Sequence, residues 1–239
     1  NPVTYTYAAK GTYTVRVMVT NDTGSAEDTA LVEIVDAFDY HVSPNGRHEP
    51  PFNTWEKAAT NLQAAIDEAL NGSTVLVTNG VYALGGRAVA GQSVVNRACV
   101  DKTLHLRSIE GQEKTVIVGF AHPSTGVGTT AIRGVYLASG ATLCGFTVSN
   151  GFTRSGTTAS EDYYGGGSLC AASDCVVSNC IVCAGGAGMR GGGVYQGTLY
   201  DCQILTNTVF GSSTSGYGGG VASVSASGCR VELNRTTGA

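Results

Sequence analysis

Charge is what this sequence has least of. Only 13% of its 239 residues are Asp, Glu, Lys or Arg, and the formal net charge is −4; that is about half the usual charged share of a soluble domain. No lysine follows Lys114, and beyond it the only acids are Glu161, Asp162, Asp174, Asp201 and Glu232. There is no basic run, so the footprint of a nucleic-acid binder or of a protein held on an anionic membrane surface is missing. No apolar run approaches the roughly 20 residues of a membrane span. No signal peptide is visible, which leaves a cytoplasmic chain or a mature fragment of an exported one. The four histidines, His41, His48, His105 and His122, stand apart and suit no triad or metal motif. Glycoside hydrolysis needs two carboxylates at fixed separation, and a lyase needs a base beside a carboxylate-built Ca²⁺ site. The scattered acids offer neither, since Glu161-Asp162 is the sole adjacent pair in that stretch. No catalytic residue, metal ligand or cofactor is assigned.

What the chain has in excess is glycine, 34 residues of it. Three triplets punctuate the second half: Gly165-Gly166-Gly167, Gly191-Gly192-Gly193 and Gly218-Gly219-Gly220. Their last members lie 26 and then 27 residues apart. Cys202 and Cys229 each follow a triplet by 9 residues and open the runs CQILTN and CRVELN. TLCGFTVSN at Cys144 and SNCIVC at Cys180 repeat the idea. Self-similarity at such a period marks a solenoid. Apolar residues recur at spacing two, which belongs to strands, and glycine triplets would destroy a helix. The expected fold is therefore all-β, a β-helix over residues 54–239, with regular apolar positions arguing against a flexible glycine linker.

Eight cysteines fall into two groups. Cys144, Cys180, Cys202 and Cys229 form the repeat column and are expected to point inward as thiols, because a buried free Cys behaves as a small hydrophobe. Cys170 to Cys183 form one dense cluster, in which a single disulfide is open in an oxidising compartment. Only one C-x-x-C spacing occurs, Cys180–Cys183, with no histidine nearby, so a zinc site is not supported.

The start of the chain reads as three strands, TYTYAA, GTYTVRVMVTN and EDTALVEIV, with a turn at Asn21-Asp22-Thr23-Gly24. Residues 37–53 read as a connector. A helix follows over about 54–71, with Asn53-Thr54 as N-cap candidates. Its apolar stripe is Trp55, Ala59, Leu62, Ile66 and Ala69-Leu70, and Asn71-Gly72 ends it. Gly151–Asp162 reads as a polar loop. Gly-Val-Tyr occurs at Gly80–Tyr82, Gly134–Tyr136 and Gly193–Tyr195, and reads as one recurring corner and strand start.

YTYAAKGTYTVRVMVTNDTGSA resembles the C-terminal half of a PKD domain, an immunoglobulin-like β-sandwich common on extracellular proteins. The resemblance covers residues 1–36 and implies a partial sandwich whose first half is absent. The helix followed by GSTVLVTNGVY resembles the entry of right-handed parallel β-helix proteins, where an amphipathic helix caps the first coil. From about Tyr40 onward, Gly-Gly-Gly-Val with ILTN and VELN is similar to the Gly-Gly-Ala-Ile and Phe-x-x-Asn repeats of polymorphic outer-membrane proteins. Here glycine replaces that Ala, and Ile or Val replaces that Phe. This resemblance implies a secreted or surface-displayed bacterial protein, often adhesive, and carries over no catalytic residue.

Three functions follow: a non-catalytic surface module for adhesion or for binding a glycan or surface protein, a carbohydrate-active β-helix enzyme, or a structural stalk. The binding reading rests on Tyr136, Tyr164, Tyr195 and Tyr217, which would form an aromatic strip if aligned on the outer face. The alternative is that these rings shield glycine backbone at the corners. VELN with no further coil to cover it predicts that the native protein continues beyond Ala239, and that the given chain self-associates through that end or is ordered there by a neighbouring molecule.

Overall fold

The computed structural model describes residues 11–34, 38–156, 158–211 and 216–237. These fall into two compact units, Asn1–Phe38 and Asp39–Ala239. The fold is mostly strand, with one α-helix among the described residues.

In the first unit, Gly11–Asn21 and Gly24–Ile34 pair as an antiparallel hairpin, with Tyr13 opposite Val32 and Val15 opposite Ala30. The two-residue turn is held by the Asn21 side chain. Its Oδ1 accepts from the Thr23 N–H at 2.9 Å, the Thr23 hydroxyl at 2.7 Å and the Gly24 N–H at 3.0 Å, the local bonding that suits Asn to turns. The expected strand TYTYAA lies outside the described residues.

The second unit is built from parallel sheets visited in rotation. The first holds Val95–Val100, Ile132–Leu137, Ser168–Cys170, Val194–Tyr195 and Val221–Ala222, in that order. The second runs from Tyr40–Val42 through Thr74–Val77, His105–Ser108, Thr142–Cys144, Val176–Ser178 and Thr198–Tyr200 to Ser225–Ser227. The third runs from Gly80–Tyr82 through Thr115–Val118, Thr147–Ser149, Ile181–Cys183 and Gln203–Leu205 to Arg230–Glu232. A fourth, shorter sheet joins Gly186–Ala187, Thr208–Val209 and Arg235–Thr236. Antiparallel pairing is confined, among the described residues of this unit, to Arg87–Ala88 against Val95–Asn96 and to isolated bridges such as Phe120 with Ile132.

Register stacks like on like. Leu106, Leu143, Val177, Leu199 and Ala226 form one column, and Ile117, Val148, Val182, Ile204 and Val231 another. Most of these side chains are fully buried, although Val231 is half exposed. Between the second and third sheets the chain turns through Gly145, Asn179, Asp201 and Gly228, all at positive φ of 49–80°. Gly, Asn and Asp tolerate this left-handed conformation best.

That corner corrects the cysteine column. It resets the inside–outside alternation, so Phe146, not Cys144, stacks with Cys180, Cys202 and Cys229. Cys144 lies before the corner, in register with Ser178 and Tyr200 and only half-buried. Cys180 and Cys202 are buried, and Cys229 is half-buried. Gly-Val-Tyr is likewise not one motif. Gly134–Tyr136 and Gly193–Tyr195 belong to the first sheet, whereas Gly80–Tyr82 is a strand of the third.

The helix is shorter than the apolar stripe predicts. It spans Leu62–Glu68, and the Asn61 side chain caps it by accepting from the Ala64 N–H at 3.0 Å. Residues before it cannot be helical because their backbone is engaged elsewhere. The carbonyls of Glu56, Lys57, Ala58 and Ala59 accept from Arg47, Glu49, His48 and Ser43, at 2.9–3.1 Å. Trp55 is therefore not on the helix; it packs edge-on to His41 with ring centroids 4.3 Å apart. The stretch read as a connector contains the strand Tyr40–Val42, whose ends are buried.

Gln63 shows how the helix meets the sheet. Its Oε1 accepts from the Cys99 N–H at 2.8 Å, and its Nε2 donates to the Cys99 carbonyl at 3.2 Å. The amide thus replaces a neighbouring strand at that point and satisfies two backbone groups that burial would otherwise penalise. Lys102 Nζ donates to the carbonyls of Asp67 and Ala69 at the C-terminal end of the helix, where a cation is favoured.

Candidate functional site

The residue before each glycine triplet forms a column of its own. Tyr164, Arg190 and Tyr217 are parallel bridge partners across three successive circuits. The Gly165 N–H donates to the Arg190 carbonyl at 2.9 Å, and the Gly191 N–H to the Tyr217 carbonyl at 3.3 Å. The Arg190 guanidinium lies between the two rings, 5.1 Å from the Tyr164 centroid and 4.7 Å from that of Tyr217, both within cation–π range. Tyr195 extends the stack, its ring 4.7 Å from that of Tyr164 and tilted by 33°.

The four predicted tyrosines are therefore brought together, but unequally. Tyr136 is 8% exposed and Tyr164 6%, both within a packed cluster with Cys99, Leu169 and Met189. Tyr195 is half-buried at the edge of that cluster, and Tyr217 is 47% exposed. The accessible part of the strip is Tyr195, Arg190 and Tyr217.

Arg190 was not singled out by the sequence reading, although it precedes the middle triplet as Tyr164 and Tyr217 precede theirs. Among the described residues it forms no ion pair, and its buried Nε has no hydrogen-bond partner. A stacked guanidinium keeps its in-plane donors free for an acceptor outside the stack.

Four of the five acids beyond Lys114 are engaged in structure, Asp201 being the exception. Asp162 Oδ1 accepts from the Ser93 and Val94 N–H groups at 2.9 Å, and Glu161 Oε2 accepts from Gln92 Nε2 at 2.5 Å. The pair thus pins the loop Gly151–Asp162 to the entry of the first sheet. Arg133 locks the loop from within. It is fully buried, and it donates to Asn96 Oδ1 at 2.7 Å and to the carbonyls of Glu161, Tyr164 and Gly165. Burial brings its pKa down to about 10. Asp174 accepts from the Ser139 hydroxyl at 2.7 Å, which holds its carboxyl below the usual range. Glu232 pairs with Arg230.

A concavity of about 290 Å³ lies along the Gly145–Asn179 corner, beside Glu110, Gln112 and Lys114. Lys114 and Glu110 face each other there at 3.6 Å. No set of three or more His, Cys, Asp or Glu side chains converges among the described residues. No described helix is long and apolar enough to cross a membrane.

No curated protein and no solved structure matches the chain. Residues 1–34, which include the described hairpin, match the family model of the PKD domain.

Proposed function

We propose that the unit from Asp39 onward is a right-handed parallel β-helix, capped at its start by the helix Leu62–Glu68. It serves as a non-catalytic adhesion module outside the cell and binds an acidic glycan across Tyr195, Arg190 and Tyr217. The rotation through three sheets in constant register supports the fold, and the PKD match supports an extracellular setting.

The observation that carries the ligand class is Arg190, a guanidinium with no acid partner among the described residues, framed by aromatic rings. Tyrosine faces accept the C–H faces of sugar rings, and the guanidinium fork matches a carboxylate. Tyr136 and Tyr164 back the strip without facing the ligand. Glu161, Asp162, Asp174 and Glu232 are occupied in loop anchors and corner bonds, and Asp201 joins no cluster of acids among the described residues, which favours binding over hydrolysis.

The test is retention of the chain on immobilised polygalacturonate against a neutral galactan. Arg190→Gln should weaken polygalacturonate binding by about tenfold or more, as expected for a lost charge-assisted bond, and Tyr217→Ala should weaken it less. Equal retention on both polymers, or an unchanged Arg190→Gln variant, would overturn the acidic-glycan reading.

A further inference from the structure

Cys170 closes the strand Ser168–Cys170 of the first sheet, and Cys175 immediately precedes Val176–Ser178 of the second. Between them, Ala171-Ala172-Ser173-Asp174 loops out of the corner. The next circuit makes the same corner without a loop. Leu169 pairs with Tyr195 and Val176 with Thr198, so Cys170 and Cys175 stand over Gln196 and Gly197. Those two are chain neighbours, with Cα atoms about 3.8 Å apart. The register therefore pinches the cysteines toward the roughly 4.4–6.8 Å Cα separation of a disulfide.

Both thiols are fully buried, and the Cys175 thiol donates to the Ala138 carbonyl at 3.1 Å, on the corner of the preceding strand. Gly197 makes room for the pair, since a Cβ there would stand 2.7 Å from Cys170 Sγ and 3.0 Å from the Cys175 carbonyl oxygen. The other cysteines are worse placed. Cys180, Cys202 and Cys229 stack in register on successive strands. Their parallel Cβ vectors stay near the strand spacing of roughly 4.8 Å, beyond the roughly 3.5–4.5 Å a disulfide takes. Cys99 lies in a different cluster, beside Tyr136 and Leu169.

We propose that Cys170 and Cys175 are a built dithiol that closes to a disulfide across the corner turn when the chain folds with a low-molecular-weight disulfide as oxidant. The Cys175 thiolate attacks one sulfur of the oxidant and expels one thiolate. Cys170, having given up its proton, then attacks the Cys175 sulfur and expels the second. One S–S bond forms and one is broken; the two cysteine sulfurs lose two electrons, and the oxidant leaves as two thiols. The adjacent Cys170 thiol holds the Cys175 thiol below the ordinary cysteine value and is itself raised, so Cys175 is the attacking group. The step does not depend on the glycan-binding reading.

The test is to refold the full chain from denaturant in reduced and oxidised glutathione, then alkylate it unfolded without reduction and map peptides by mass. The expected result is two fewer labelled thiols than the eight in the sequence, with a Cys170–Cys175 crosslinked peptide. Cys170→Ser should leave Cys175 as a glutathione mixed disulfide, and Cys175→Ser should leave all remaining thiols labelled. Full labelling of both cysteines in the refolded wild-type chain, or a crosslink at Cys180–Cys202 in their place, would overturn the proposal.

Discussion

Two regions of the second unit solve one packing problem by opposite means. In the first sheet, one register column runs Asn96, Arg133, Gly166, Gly192, Gly219. The first two positions carry large polar side chains, fully buried and bonded to each other. The last three carry none. In the later circuits the backbone of the fourth sheet passes directly over the column. A Cβ at Gly166 would lie 2.4 Å from the Gly186 carbonyl oxygen, and one at Gly192 2.5 Å from that of Thr208. In the earlier circuits the column faces the loop Gly151–Asp162 and its continuation, and Arg133 fills the space with hydrogen bonds to that loop's carbonyls. Residues 95–164 are thus held by long side chains with distant partners, and residues 165–237 by the absence of side chains.

The sharpest way to break the comparison is to remove the side chain on which the wide region depends. Arg133→Met would strand three carbonyls and the Asn96 amide oxygen in a buried site. A loss of about 3–5 kcal/mol is expected from several buried acceptors left without a donor, read by urea denaturation. Arg133→Gly should do no better, because no strand moves in to use the space. Hydrogen exchange should localise the damage to residues 151–165, and uniform loosening of all circuits would refute the locking role.

The converse change adds a side chain where the tight region has none. Gly192→Ala places a Cβ 2.3 Å from the Gly219 carbonyl oxygen, with backbone on every side. A loss of about 3 kcal/mol is expected from overpacking that cannot relax. Wild-type stability in Gly192→Ala would mean that the triplets serve conformation rather than clearance.

Asn207 comes next. It is fully buried; its Oδ1 accepts from the Gly185 N–H and its Nδ2 donates to the Val182 carbonyl, both at 2.9 Å. Asn207→Ala should cost about 2–3 kcal/mol by orphaning both. Asn234 makes the equivalent bond to the Ile204 carbonyl at 2.7 Å from a half-buried position. Asn234→Ala should cost clearly less, and equal losses would show that burial is not what sets the effect.

The same contrast explains what could be read from the sequence. Clearance repeats, so the triplets at Gly167, Gly193 and Gly220 and the asparagines at 207 and 234 announce a period. Arg133 does not, because its partner Glu161 is far along the chain and differs in kind. The cysteine column was misjudged by two residues at Cys144 because a positive-φ corner resets the alternation. The signal was present, however: Gly145, Asn179, Asp201 and Gly228 all precede the inward residue. The false helical start at Trp55 had no local warning, because the segment that takes up its backbone lies at 43–49. Arg190 was legible from its place before a triplet and was hidden only by its chemical difference from the tyrosines on either side of it.

The finest test concerns the corner after the third sheet, where both regions pass through Asn150, Ala184, Thr206 and Leu233 at φ of 52–56°. Asn occupies this conformation readily, whereas a β-branched residue is an outlier there. For an L-residue other than Gly or Asn the left-handed region costs roughly 1–2 kcal/mol. Thr206 is exposed, and its hydroxyl bonds only the adjacent Leu205 carbonyl, at 2.7 Å, so little packing is lost on truncation. Its backbone N–H donates to the Glu232 carbonyl at 3.1 Å, a bond that glycine keeps. Glycine returns part of the gain through greater freedom of the unfolded chain, about 0.5–1 kcal/mol. Thr206→Gly should therefore stabilise by about 0.5–1 kcal/mol, Ala184→Gly by less, and Asn150→Gly not at all. That order would show strain tolerated at a corner of the tight circuits that the wide circuit avoids by its choice of residue. Destabilisation by Thr206→Gly, or a larger gain at Asn150 than at Thr206, would remove strain as the difference between the two.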